Sequence, residues 1–246
     1  MRIKLTIEYD GTNYVGWQKQ KNGISVQEEI EKCLKKLLKD KISIYVAGRT
    51  DSGVHAFEQV AHFDTIEKIE PKKISSGLNY YLKSSKNSIS IINSKKVSNS
   101  FHSRFSAKKR TYLYKILNRK SPSPILQNKT WWIPYKLDLD KMKDASEFFI
   151  GKNDLNSFRS QNCQAKNSIR SIDNLNIKKK KDIIFFSISA RSFLHNQVRI
   201  IIGSLINVGR GYWDAKKIKE IIEIKKRSAA GPTAPAEGLY LEKIKY

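Results

Sequence analysis

The sequence predicts a mixed α+β fold made of two β-α-β-β-α-β units of ferredoxin-like order. Three observations predict it. Residues 2–93 carry strand-period and helix-period apolar patterns in that order. Residues 111–244 run through the same order with one added helix. Between them, from about 94 to 110, Asn, Ser and Lys thin the apolar pattern. Two such units can join edge to edge into one broad, mostly antiparallel sheet with helices on one face. That join would leave a central cleft, a common place for a site. The expected division is 1–105 and 106–246. A chain of 246 residues that is 39% hydrophobic has enough apolar material for this.

Each element has its own signal. Ile3, Leu5 and Ile7 alternate with Lys4, Thr6 and Glu8, a half-buried strand. Asp10-Gly11-Thr12-Asn13 reads as a turn. Ser25 with Glu28 three residues on is a capping box. The helix it opens puts Val26, Ile30, Cys33, Leu34, Leu37 and Leu38 on one face. Ile42, Ile44 and Val46 suggest a second strand, and residues 54–63 a third. Pro71 suits a first helical turn, continued by Ile74, Leu78 and Leu82. Residues 88–93 close the unit as a strand.

In the second half, residues 111–117 alternate as a strand. Leu139, Met142, Ala145 and Phe149 mark a helix, with Gly151 expected as its stop. Ile169–Ile177 and Ile183–Ser189 read as a hairpin across Lys178-Lys179-Lys180-Lys181. A helix follows with Val198, Ile201, Ile202, Leu205 and Ile206, then an added one from about Asp214. Leu239 to Ile244 form the last strand.

Charge narrows the partners. Lys and Arg number 47 against 23 for Asp and Glu, a net of +24. Such an excess gathers polyanions and favours phosphate contacts. Some of these lysines fit a general Lys-, Ile-, Asn- and Ser-rich bias, but nucleic acid is the favoured partner. The longest apolar runs, such as Ile200-Ile201-Ile202, are too short to cross a bilayer. The N-terminal residues lack the apolar stretch of a secretory signal. The expectation is a cytoplasmic protein without a membrane partner. Cys33 and Cys163 are unclustered, and His55, His62, His102 and His195 show no metal-ligand spacing.

The run Gly48-Arg49-Thr50-Asp51-Ser52-Gly53 sets a polar loop with two glycines between two strand patterns. Glycines let a backbone turn tightly or approach a ligand closely. Arg49 and Asp51 lie two apart, so in extended chain they project to one side. A surface turn with a weak ion pair fits the same residues. Catalytic groups, however, favour loops on rigid scaffolds.

That loop, extended as Val46–Ala56, resembles the signature of the bacterial tRNA pseudouridine synthase A family. Further blocks agree in the same order. They are Tyr9-Asp10-Gly11-Thr12, Gly16-Trp17-Gln18, Ser25-Val26-Gln27, Phe101–Ala107, Tyr112-Leu113-Tyr114, Phe193–Arg199 and Ala234–Leu241. Ser52 stands where the family usually has alanine, a small-for-small change, and Ser103 does likewise. His102 and Arg104 lie inside a matching block.

The resemblance implies a pseudouridine synthase fold and a cofactor-free isomerase. Uridine loses its N1–C1′ bond, the uracil turns while bound, and it rejoins ribose through C5. Substrate and product are isomers, so no redox cofactor, ATP or metal is required. The family's catalytic aspartate maps onto Asp51. It would either attack C1′ as a nucleophile or take a proton from the ribose. Its arginine partner, which keeps the carboxylate charged, maps onto Arg199; the motif match favours that ion pair over a phosphate contact or a solvated helix residue, since a lone buried charge is so costly. Tyr112 maps onto a tyrosine that packs on the target uracil, although it also fits an ordinary core strand. Leu239 maps onto an apolar pocket residue. Arg49 maps onto the side chain that fills the gap left by the extruded base. The implied substrate is tRNA, at positions 38, 39 and 40 of the anticodon stem-loop, and the implied assembly is a homodimer.

Two rivals remain at this level. A basic RNA-binding protein without chemistry has no need of Arg49-Thr50-Asp51 in a glycine-bounded loop. A metal-dependent nuclease needs clustered carboxylates, which the sequence lacks.

Overall fold

A computed structural model describes residues 1–246. Its first elements are β1 (Arg2–Tyr9), α1 (Val26–Leu38), β2 (Tyr45–Val46), β3 (His55–Asp64), α2 (Pro71–Ser84) and β4 (Ile89–Val97). Then come β5 (Lys109–Asn118), β6 (Trp131–Ile133), α3 (Leu139–Glu147), β7 (Gly151–Asp154), β8 (Ile169–Lys180) and β9 (Ile183–Ala190). The chain closes with α4 (Gln197–Gly209), α5 (Lys217–Ile224) and β10 (Leu239–Lys245). The class is mixed α+β, as the periodicities predict. Two compact units form: Met1–Lys108 with Tyr240–Tyr246, and Lys109–Leu239.

In the first unit β1 lies between β3 and β4, antiparallel to both. β2 adds to the far edge of β3 through Tyr45↔His62 and Val46↔Ala61. The order β4-β1-β3-β2 is the split βαβ arrangement. β10 joins the other end of that edge in parallel, pairing Tyr240 with His55 and Leu241 with Ala56. Ile3, Leu5 and Ile7 of β1 are fully buried, as alternation requires. Ser25 caps α1 by accepting from the Glu28 amide at 3.2 Å, and Pro71 opens α2. The buried stripes are Val26, Ile30, Cys33, Leu34 and Leu38 on α1 and Ile74, Leu78 and Leu82 on α2. Burying each large aliphatic stabilises by roughly 1.5–3 kcal/mol.

In the second unit β9 runs antiparallel between β5 and β8, and β7 edges β8. β6 pairs in parallel with the end of β5. Helix α4 is the core of this unit: every residue of it except Arg199 and Asn207 is buried.

Several boundaries differ from expectation. Only Tyr45–Val46 form the second strand. Ile42 and Ile44 are buried without a ladder, because the Glu31 carboxylate accepts from the Ile44 amide at 3.1 Å. The tetralysine is not a loop. β8 carries Lys178, Lys179 and Lys180 opposite Phe185, Ile184 and Ile183. The turn is Lys181-Asp182, with Lys181 in left-handed backbone at φ 53°. β9's apolar residues carry the ladder to the tip, which charge alone does not reveal. Helix α3 ends at Glu147, and Gly151 instead begins β7 at φ 85°. The short strands β6 and β7 are too brief to show a period. No helix is long and apolar enough to cross a membrane.

Candidate active site

The loop Gly48–Gly53 enters β3, and the stretch Tyr9–Trp17 braces it. Tyr9 and Thr50 are both buried, and their hydroxyls hydrogen-bond at 2.7 Å. The Trp17 amide donates to the Thr50 carbonyl at 3.0 Å. The Gln59 side-chain amide, fully buried on β3, donates to the Gly48 carbonyl at 2.8 Å. The Ser52 hydroxyl donates to the Tyr14 carbonyl at 3.2 Å. The Val54 amide donates to the Asp51 carbonyl at 3.2 Å, and Gly53 takes φ 78° to close that turn. Gly16 has φ 110°, and a Cβ there would stand 2.7 Å from the Thr50 carbonyl oxygen. Only glycine fits that approach.

These bonds pin Thr50 inward, and its neighbours are more open: Arg49 is exposed and Asp51 half-buried. A carboxylate on a backbone held at Gly48, Thr50, Asp51 and Ser52 has little freedom to drift. That is the preorganisation a reacting group needs.

Arg199, Tyr112 and Leu239 lie in the second unit. Arg199 is one of the two half-buried residues on α4. Its Nε donates to the Ala234 carbonyl at 2.7 Å, and a terminal nitrogen donates to the Asn196 side chain at 3.0 Å. The Ala234 amide returns a bond to the Arg199 carbonyl at 3.1 Å. The guanidinium is thereby aimed by the 231–235 segment, itself packed tightly on α4. A Cβ on Gly203 would overlap the Pro232 carbonyl oxygen, and one on Gly231 would stand 2.7 Å from Ser204 Cα. Ser204 accepts from the Gly231 amide at 2.9 Å. Arg227 reaches the Gly231 carbonyl at 3.0 Å and the Thr233 hydroxyl at 3.1 Å.

Tyr112 and Tyr114 share one face of β5. Tyr112 is half-buried and meets Phe193 edge-on, ring centroids 5.2 Å apart. Tyr114 is fully buried and donates to the Pro235 carbonyl at 2.7 Å. Burial drives its phenol well above the ordinary range, against the pull of nearby Arg199. Tyr114 is thus a fixed donor that anchors the segment leading to Leu239. Gly238 lets it through, because a Cβ there would stand 2.6 Å from the Tyr114 ring. Leu239 itself is buried.

Sequence reading did not assign roles to Tyr9, Gln59, Ser204, Arg227 or Gly203. Tyr9, inside a matching block, had a signal; the others had none, since their partners lie far along the chain. No group of three His, Cys, Asp or Glu side chains is placed to hold a metal ion.

Comparisons with known proteins agree with one another. A family model described as tRNA pseudouridine synthase matches residues 5–106 and 145–246. A tRNA pseudouridine synthase A of Anaplasma phagocytophilum is 45% identical over 248 residues, covering all of both chains. Those of Ehrlichia canis and Wolbachia pipientis are 46% and 47% identical over 247 residues, again covering all of both chains. With the braced 48–53 loop inside the first matched stretch and Arg199 and Leu239 inside the second, the chain belongs to the tRNA pseudouridine synthase family.

Proposed function

We propose that this chain isomerises uridine to pseudouridine in tRNA, at positions 38, 39 and 40 of the anticodon stem-loop, with Asp51 as the catalytic carboxylate. Pseudouridine synthases are isomerases, and the full-length relatives carry that activity on tRNA in their names. The observation that carries the residue assignment is the loop itself. It presents one carboxylate on a backbone fixed from β1, β3 and the Tyr9–Trp17 stretch. The assignment of the anticodon positions rests on the resemblance of the sequence blocks.

The chemistry follows from the groups available. The N1–C1′ bond breaks, a C5–C1′ bond forms, the proton on C5 leaves and N1 gains one. Asp51 supplies the electron pair, either to C1′ or to a ribose proton. A primary isotope effect with deuterium at ribose C2′ marks the second route. Arg199 keeps the carboxylate charged in a site that desolvation would otherwise neutralise. Tyr112 packs on the uracil and relays the C5 proton. Leu239 lines the pocket. Arg49, exposed beside Asp51, takes the space left by the extruded base. Unstacking a base costs a few kcal/mol, and phosphate contacts from a chain of charge +24 offset it. Because substrate and product are isomers, the reaction balances without a cofactor. The same reading has a homodimer, the commonest symmetric assembly, working on cytoplasmic tRNA.

The test uses tRNA transcripts tritiated at uridine C5. Bond formation expels that tritium into water. Asp51→Asn and Asp51→Ala should abolish release while tRNA still binds, and Arg199→Ala should lower kcat far more than binding. Near-normal release by Asp51→Ala would overturn the assignment.

A further inference from the structure

The block Phe101–Ala107 has no part in the loop chemistry. It folds over the end of β3 remote from Asp51, where Tyr45 of β2 pairs with His62. His62 is 1% exposed. Its ring stacks on Tyr45 at 5.2 Å and meets His102 edge-on at 4.7 Å. The Ser103 amide donates to His62 Nδ1 at 3.2 Å, and the Ser103 hydroxyl donates to the Tyr45 carbonyl at 2.5 Å. His62 and Ser103 are the buried stem of the cluster.

Its outer layer is open. Phe105 is 72% exposed and Tyr45 52% exposed. His102 lies between them, 4.4 Å from the Phe105 ring and 6.0 Å from the Tyr45 ring. The His102 Nδ1 accepts from the Arg104 amide at 3.1 Å, which ties the ring to its own loop. The Arg104 guanidinium stands 5.8 Å from the Phe105 centroid. Lys4 sits over Phe101 and Tyr246 on the same corner, and Arg2 neutralises Asp64 through a two-nitrogen pair. Large aromatic faces held rigid in water beside cations match what single-stranded nucleic acid requires: rings to stack on and charge for phosphate.

We propose that Tyr45, His102, Arg104 and Phe105 form a second RNA contact, a stacking platform for an unpaired base with Arg104 on its phosphate. It lies well away from the target nucleotide. His55 and His62 are seven residues apart on β3, about 23 Å at strand rise, and the Asp51 carbonyl is bonded by the Val54 amide next to His55. The occupant is therefore another part of the same tRNA, and in this the inference rests on the proposed function. The net charge of +24 favours an RNA over a protein partner here.

The test measures fluorescence-anisotropy binding of full-length tRNA by the parent, Phe105→Ala, Phe105→Trp and Arg104→Ala. Thermal melts and kcat and KM for tritium release accompany it. Phe105→Ala should weaken binding on the order of tenfold, and Phe105→Trp should restore it, because any aromatic face stacks. Arg104→Ala should weaken binding and reduce the slope of log K against log salt by about one. Both losses should appear in KM rather than kcat. Parent-like binding by Phe105→Ala and Arg104→Ala overturns the platform. So does a tryptophan variant as weak as the alanine one, or a loss that tracks a lowered melting temperature. A parent that binds tRNA yet releases no tritium would sink the proposed function instead and leave the binding test intact.

Discussion

The Tyr9–Thr50 hydroxyl pair gives the sharpest check that bracing, and not merely the presence of Asp51, supports turnover. Both hydroxyls are buried and 2.7 Å apart. Tyr9→Phe removes that partner from the Thr50 hydroxyl, while Thr50→Val leaves the Tyr9 hydroxyl its 3.4 Å contact with the Gln59 side-chain amide. Losing a partner from a buried polar group costs up to about 1–3 kcal/mol, whereas removing both members of a pair together costs less. The double variant should therefore lose less than the two singles combined, with a coupling of about 1 kcal/mol. Looseness worth about 1.4 kcal/mol leaves the productive register tenfold less populated. Each single variant should then slow single-turnover tritium release on the order of tenfold while tRNA binding stays at the parent value. Urea unfolding reads the coupling, and rapid-quench tritium release reads the rate. Additive stability losses would deny that the two hydroxyls interact. A coupled loss of stability with parent-like rates would deny that the loop's register matters to Asp51.

Two further outcomes follow from packing and burial. Gly203→Ala forces a methyl into the Pro232 carbonyl, a backbone clash on the segment that aims Arg199. It should lower the melting temperature by several degrees and depress kcat. Gly151→Ala has open space and only its φ of 85° to strain it, so it should cost about 1–2 kcal/mol and spare kcat; the opposite ranking would refute the packing argument. His62 gives a pH dependence. Burial, with help from His102 and Arg2, brings its pKa down to about 4 from the usual 6.5. Between those values the unfolded chain binds the extra proton, so stability is full above about pH 6.5 and is lost as pH falls toward 4. The loss should reach a few kcal/mol. Urea unfolding from pH 7 to 4 should show this slope, and His62→Gln should flatten it; an unchanged slope in the variant would refute the assignment.

Much of the chain was legible from sequence because its signals are local. Alternation in β1, the Ser25 cap of α1 and the proline of α2 each act within a few residues, and all three appear as expected, although the Glu28 side chain pairs with Lys32 rather than closing the capping box. The loop with Arg49 and Asp51 stood out for the same reason, as did the blocks that resemble the family. Where an element depends on what lies beside it, sequence misled. The lysines of β8 look like a loop until β9's Phe185 and Ile184 are set opposite them. Ile42 and Ile44 look like a strand until the Glu31 carboxylate takes the ladder's place.

The sequence by itself determined the fold class, the order of the longer elements and the residue types that chemistry could use, since these follow from periodicity and motif. Only the tertiary structure decided what holds those residues still. Gln59 reaches Gly48, Tyr9 reaches Thr50 and Ala234 holds Arg199 across separations of 11, 41 and 35 residues. A hydrogen bond between residues so far apart leaves no local pattern to read. It exists only because burial in a close-packed interior brings donor and acceptor together and makes leaving either one unpaired costly.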